Sequence, residues 1–277
     1  MQAGMNLTFY GVRGSTPCHC SSMARFGGNT SCVVLESDSI DPIIFDAGTG
    51  LRFYGLGLGD DLFAGTMVIS HLHWDHVQGL PFFPQLLESS CTAKILGPPE
   101  AEETFGQALG GLIRPPYFPV RLDEFASELN VGDIYDESIE IDGGATLTAR
   151  PVPHTGRTNG YRVDLDGRSV AYIPDHQQPA GEMTVTDAVL ELADGVDVLI
   201  HDAQFTPELL KKRSDWGHCT AEYAVQVARE AGVGQLVLFH HDPLHDDVAM
   251  EQILASTQSA APDLMISAAS EGMKISI

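Results

Sequence analysis

Val68-Ile-Ser-His71-Leu-His73-Trp-Asp75-His76-Val-Gln-Gly-Leu80 is the stretch in which chemistry is densest. An apolar strand runs straight into four side chains able to ligate a metal ion. His71 and His73 alternate across one residue, so in extended backbone both point the same way, and Asp75-His76 then reads as the start of a helix. At ~4% frequency per position, the four residue types would coincide about once in 10⁵–10⁶ windows, which leaves a polar turn with merely solvated histidines a poor account. Four groups so close in sequence cannot enclose a metal pair alone, so other strand ends must contribute.

Elsewhere in the chain such strand ends are present. His154 follows the run Leu147–Val152, Asp175 follows Val-Ala-Tyr-Ile-Pro, His201-Asp202 follows Val-Leu-Ile, and His240-His241-Asp242 follows Leu-Val-Leu-Phe. Layered sheets gather functional groups onto one edge in this way. At least ten strands are expected, at Leu7–Tyr10, Ser31–Leu35, Pro42–Phe45, Thr66–Ser70, Ala93–Leu96, Ala145–Val152, Tyr161–Leu165, Ser169–Ile173, Val196–Ile200 and Gln235–Phe239. Helices are expected over Glu100–Leu109, Val185–Leu192, Ala221–Ala231 and about Asp246–Ala255, the third with Thr220 as N-cap and Gly232 just past its end. Strands crowd early and helices intersperse later, which predicts an α/β fold of two sheets face to face with helices outside. Gly110–Asp133, containing Arg114-Pro-Pro-Tyr-Phe-Pro119, reads as an irregular excursion, a lid or an interface loop.

The chain has 277 residues, no repeat and no Gly/Ser or Pro linker, so one domain spanning 1–277 is expected. Fifteen Lys+Arg against 38 Asp+Glu give a net charge of −23, which repels phosphate backbones and argues against long nucleic acids and anionic membranes as partners. The opening Met1-Gln-Ala-Gly-Met-Asn carries no basic region ahead of an apolar one, and no apolar run is long enough to span a bilayer, so a soluble, cytoplasmic protein is expected. Five scattered cysteines, Cys18, Cys20, Cys32, Cys91 and Cys219, suit a reducing compartment, and Cys18-His19-Cys20 without a distant second pair is a weak metal clip. Arg13, Arg25 and Arg157 sit beside motif loops and are candidate phosphate contacts. His241-Asp-Pro-Leu-His245-Asp246-Asp247 reads as support for the site or as helix-start carboxylates rather than as a third metal site.

The segment His71-Leu-His73-Trp-Asp75-His76 resembles the His-x-His-x-Asp-His pattern of the metallo-β-lactamase superfamily. The runs Phe9-Tyr-Gly-Val-Arg-Gly-Ser-Thr-Pro17, Arg25-Phe-Gly-Gly-Asn-Thr-Ser-Cys32, Ile44-Phe-Asp-Ala-Gly-Thr-Gly50 and Asp75-His-Val-Gln-Gly-Leu80 are similar to its ribonuclease Z and cyclic-phosphodiesterase branch, from Leu7 to about Asp242. The resemblance implies an αββα sandwich. It implies that His71, His73 and His154 hold one metal ion, that Asp75, His76 and His240 hold a second, and that Asp175 bridges the two. His240 is preferred over His241 by the match at the end of its strand. His218, in Trp216-Gly-His218-Cys-Thr220, aligns with a catalytic histidine.

Two divalent ions of this kind, Zn²⁺ first with Mn²⁺ or Fe²⁺ as alternatives, would hold a bridging hydroxide as nucleophile. His218 would donate to the leaving oxygen, and Asp75 would orient the nucleophile or relay its proton. The expected activity is a metal-dependent hydrolase, a phosphodiesterase on a small diester, cyclic diesters included. Ribonuclease Z carries a long arm between the counterparts of His154 and Asp175, where this chain has only 20 residues, and the charge of −23 also argues against transfer RNA. The alternatives are a carbonyl-ester hydrolase of the same fold (lactonase, thioesterase or β-lactamase), a non-catalytic metal-bound sensor, and a diiron redox protein. Against the first, no fatty or aromatic specificity segment stands out in the sequence. Homodimerisation is left open.

Overall fold

Cys32-Val-Val-Leu35 lacks the alternating polar residues of a strand with one wet face, and the fold shows why: both of its faces are covered. The computed structural model describes residues 4–141 and 143–277, so Met1–Ala3 at the chain's start lie outside the described residues. In chain order come β1 (Asn6–Gly11), β2 (Cys32–Ser37), β3 (Ile40–Phe45), α1 (Leu51–Leu58), β4 (Ala64–Val68), the one-turn α2 (Trp74–Val77), β5 (Thr92–Gly97), α3 (Phe105–Leu112) and β6 (Glu128–Asp133). Next are β7 (Glu137–Ile141), β8 (Ala145–Pro151), β9 (Asn159–Leu165), β10 (Arg168–Ile173), α4 (Asp187–Ala193), β11 (Val198–Asp202), α5 (Pro207–Lys212), α6 (Ala221–Ala231), β12 (Gln235–Phe239), α7 (Asp247–Ala260), β13 (Met265–Ala268) and β14 (Lys274–Ser276).

Among the described residues these strands make two seven-stranded sheets, ordered β14-β1-β2-β3-β4-β5-β6 and β13-β12-β11-β10-β9-β8-β7. Each is mixed in the same manner. β14 to β3 are antiparallel and β3 to β6 parallel; β7 to β10 are antiparallel and β10 to β13 parallel. The expected αββα sandwich is borne out. Alternate residues such as Phe9, Leu35 and Phe45 from one sheet meet Val163, Tyr172 and Phe239 from the other. The rings of Phe45 and Tyr172 lie 5.1 Å apart, and those of Phe9 and Phe239 6.3 Å. Each such buried ring contributes up to about 4–6 kcal/mol, several times a surface ion pair, so this seam holds the sheets together. The outer face of the second sheet is covered by α4, α6 and α7, and that of the first by α1 and α3.

α6 spans the residues expected, with the Thr220 hydroxyl accepting from the Tyr223 amide and Gly232 in the left-handed region at φ 65°. α3 starts later than expected because Thr104 and Gln107 cap each other reciprocally, fixing Phe105 as the first helical residue. The segment expected to be irregular ends in β6, an edge strand whose half-buried Glu-Leu-Asn-Val-Gly-Asp sequence looks like loop. The helix start expected at Asp75-His76 is the one-turn α2, whereas β7, β13 and β14, at sheet edges, and the short α1 and α5 escaped the pattern. The 20 residues between His154 and Asp175 hold the β9–β10 hairpin, closed by Asp166-Gly167 at positive φ, the Asp-Gly pairing a tight two-residue turn favours. No described helix is long and apolar enough to cross a membrane. All five cysteines are free.

Candidate metal centre

The site forms where strands of both sheets stop. β4 ends at Val68, and His71 and His73, three and five residues later, precede α2, which turns Asp75 and His76 inward. β8 delivers His154, β10 delivers Asp175, β11 ends on Asp202, and β12 is followed at once by His240. Asp46 just past β3 and His240 just past β12 both hold positive φ, 58° and 59°. For residues with a Cβ this is strained backbone, and its presence at two strand ends marks an edge shaped for something other than stability.

Two groups of side chains result. His71, His73 and His154 face one another with ring centroids 4.3 to 5.1 Å apart. Asp75, His76 and His240 form the other, with Asp75 Oδ2 3.3 Å from His76 Nε2 and 3.0 Å from His240 Nε2. The carboxylate of Asp175 stands between them. Its Oδ1 is 3.8 Å from His154 Nε2 and 3.5 Å from His218 Nδ1, while its Oδ2 is 3.0 Å from His76 Nε2 and 3.5 Å from His240 Nε2.

Burial holds the His71 imidazole well below its ordinary pKa and lowers His73 and His154 as well, so these three are neutral, as ligation requires. Burial would lower His76 too, but Asp75, Asp46 and Asp175 raise it well above 6.5. Asp175 and Asp75 are themselves held well below the carboxylate range, against burial, Asp175 chiefly by His240 and His76 and Asp75 chiefly by His76. Carboxylates so concentrated in a buried pocket make the field that a divalent cation neutralises. The donor set fits such an ion on a second count. His71 Nε2 is buried without a hydrogen-bond partner, a cost of about 1–3 kcal/mol unless something is ligated there.

Supporting residues fix these donors. Asp46 accepts from His76 Nδ1 at 2.6 Å, from the Ser70 amide at 2.7 Å and from the Tyr172 hydroxyl at 2.8 Å. His154 Nδ1 donates to the Gly217 carbonyl at 2.7 Å, and a Cβ at Gly217 would fall 2.3 Å from that imidazole, so only glycine fits there, also at φ 93°. Gln204 Oε1 lies 2.9 Å from His240 Nδ1, and the Ser15 amide donates to Asp75 Oδ2 at 2.7 Å. Asp202 lies 3.0 Å from His218 Nδ1 and, against the effect of burial, raises that histidine's pKa. Asp46 was detectable by the same strand-end rule that found Asp175; Gln204, Ser15 and Gly217 carry no such signal.

His241 points away, its Nε2 donating to the Ala269 carbonyl at 2.8 Å. The arginines do not line the site. Arg13 is buried on the carbonyls of Gly27, Asp242 and His245, Arg25 pairs with Asp247 and Glu251, and Arg157 reaches the Pro99 carbonyl. Cys18-His19-Cys20 belongs to no metal-capable group among the described residues. Trp74 and Trp216, far apart in sequence and part of no aromatic segment, both line the cavity at the site.

Fold and site together define a two-sheet α/β protein with a histidine–aspartate centre suited to divalent cations. The chain belongs to the β-lactamase superfamily, whose domain model matches residues 43–241. It is 26% identical to ribonuclease Z of Haloarcula marismortui, over 85% of this chain and 86% of that protein. The metallo-β-lactamase fold protein YhfI of Bacillus subtilis superposes with a TM-score of 0.74 at 18% identity, covering 99% of this chain and 100% of the other. A diphosphatase of the PhnP family superposes at 0.71 and 20% identity, covering 98% and 97%.

Proposed function

We propose that this metal-dependent hydrolase cleaves a small phosphodiester, linear or cyclic. The observation that carries the reading is the Asp175 carboxylate, with one oxygen toward His154 and His218 and the other toward His76 and His240. In this reading His71, His73 and His154 hold one ion, Asp75, His76 and His240 hold a second, and Asp175 serves both, with Zn²⁺ the ion this set of imidazole and carboxylate donors suits best. Bound ions would lower the pKa of water toward neutrality and neutralise charge developing on phosphoryl oxygens. His218 keeps its proton through Asp202, which occupies Nδ1 and leaves Nε2 to donate to the leaving oxygen. The Ser15 amide fixes one oxygen of Asp75, which orients the attacking group.

Chemistry at phosphorus is supported by the names of two similar proteins, a ribonuclease and a diphosphatase. A small substrate is supported by the charge of −23 and by the tight hairpin that fills the interval between His154 and Asp175. Purified protein of measured metal content, assayed on bis-p-nitrophenyl phosphate and 2′,3′-cyclic AMP against a chromogenic lactone and thioester, tests this. We expect diester turnover with about two ions per chain, reduced at least ~10³-fold in Asp175→Ala. Turnover of the carbonyl esters alone transfers the assignment to them; full metal loading with no turnover points to a sensor.

A further inference from the structure

The chain has two tryptophans, and both line one cavity of about 310 Å³. They are 59% and 58% exposed, although an indole is a large apolar surface that folding usually covers. Every other residue lining that cavity is polar or ionisable, and His73, Asp75, Asp175, His218 and His240 are among them. Trp74 opens α2, directly between His73 and Asp75; Trp216 precedes Gly217 and His218. Trp216 is also held in place. The Arg213 guanidinium stacks 4.7 Å from its ring centroid, is pinned by buried Asp242 at 3.2 Å, and lies 5.9 Å from the Phe205 ring centroid. A cation fixed on the ring preorganises the indole, and the rest of its surface is left to the cavity.

An anionic substrate approaching a chain of net charge −23 gains little from the surface field, and Arg213, the arginine stacked at this rim, is committed to Asp242. Affinity beyond the metal-capable residues must then come from uncharged contacts. Indole faces supply it to any flat aromatic ring by stacking, whatever its hydrogen-bonding edge. We propose that Trp74 and Trp216 form a stacking subsite for a nucleobase of the substrate, so that the diester cleaved here carries a base and not only sugar or alkyl groups. The cavity volume, at the low end for small-molecule sites, suits one nucleotide unit. The proposal rests on the phosphodiester reading for its reaction, but its binding step can be measured alone.

Because both tryptophans are at the site, the whole indole fluorescence reports on it. Metal-loaded protein titrated with AMP should show quenching and bind at least ~10-fold more tightly than ribose 5-phosphate, whose affinity calorimetry gives independently. Trp216→Ala should weaken AMP about 5- to 100-fold and ribose 5-phosphate far less, with Trp216→Phe restoring most of the difference. Trp74→Ala should act likewise, with metal content measured alongside because of its neighbours. Equal affinities for the two ligands, or alanine variants that weaken both alike, overturn the subsite. A base preference without turnover of any diester keeps the subsite and removes the phosphodiester reading; diester turnover without base preference does the reverse.

Discussion

Residues 71–76 and 240–247 are built from the same residue types and have different duties. Each comes after an apolar strand, β4 or β12, and each mixes histidine with aspartate. In the first, His71, His73, Asp75 and His76 all face the metal-capable cluster. In the second only His240 does. Asp242 takes Arg213 and the Leu244 amide, the His245 carbonyl takes Arg13, and Asp246 and Asp247 accept backbone amides of Ala249 and of Arg25 and Phe26. The contrast comes from the helix next in the chain. α2 is a single turn without a side-chain cap, so the Asp75 carboxylate is not taken up by its own helix and faces the cluster; α7 is a 14-residue helix docked on the Arg25–Phe26 backbone, and it consumes the carboxylates near its start.

The largest effect should come from separating two neighbours. His240→Ala should cut kcat/KM at least ~10³-fold and lower metal content, with little loss of Tm. His241→Ala should keep the metal but cost about 2–4 kcal/mol, because it strands the Ala269 carbonyl and opens a cavity. Metal analysis beside thermal unfolding reads both, and loss of metal in both variants alike erases the distinction. Next comes the aspartate behind each stretch. Asp46→Asn should weaken metal affinity about 10- to 100-fold in a chelator competition by loosening His76, whereas Asp242→Asn should not, since its partners are Arg213 and Leu244.

His201 provides a pH test, because it sits at the end of β11 facing away from the cluster much as His241 does beyond β12. Its Nδ1 meets the Asp202 carbonyl at 2.8 Å and so carries the proton, which leaves Nε2 to accept from His176 Nδ1 at 2.9 Å. Burial lowers its pKa below 6.5. Below that pH the unfolded chain therefore binds a proton that the folded chain does not. Stability is full above pH 6.5 and falls as the pH drops toward the folded value, by up to ~1.4 kcal/mol per unit. His201→Gln should flatten urea-unfolding stability between pH 6.5 and 5 relative to wild type; an unchanged slope assigns the acid sensitivity elsewhere.

Strand interiors buried on both faces, such as Val33–Leu35 and Leu236–Phe239, were legible because burial leaves an unbroken apolar run bounded by polar residues. So was α6, whose two ends carry their own capping chemistry. Edge strands β6, β13 and β14 were not: in β6 only Leu129 and Val131 alternate with exposed Glu128 and Asn130, and in β14 only Ile275 stands between exposed Lys274 and Ser276, patterns too short to separate a strand from a loop. In the candidate site, every residue nominated as a ligand stands at a strand end or in the turn just after one, a local property that sequence displays. Gln204, Ser15 and the Trp74–Trp216 pair are brought in by tertiary packing between distant segments, and no local pattern announces that.

The smallest effect is the most discriminating about composition. Asp246 accepts from the Ala249 amide at 2.9 Å and starts α7, so Asp246→Ala should remove one cap, cost about 1 kcal/mol and lower Tm by roughly 2 °C. Its metal content and diester turnover should stay within about twofold of wild type, because the carboxylate serves backbone and not the cluster. If the variant instead loses an ion, residues 241–247 belong to the centre despite where their atoms point. Residue type would then have been a better guide than hydrogen-bond partners, and His71–His76 and His240–Asp247 would be two halves of one site.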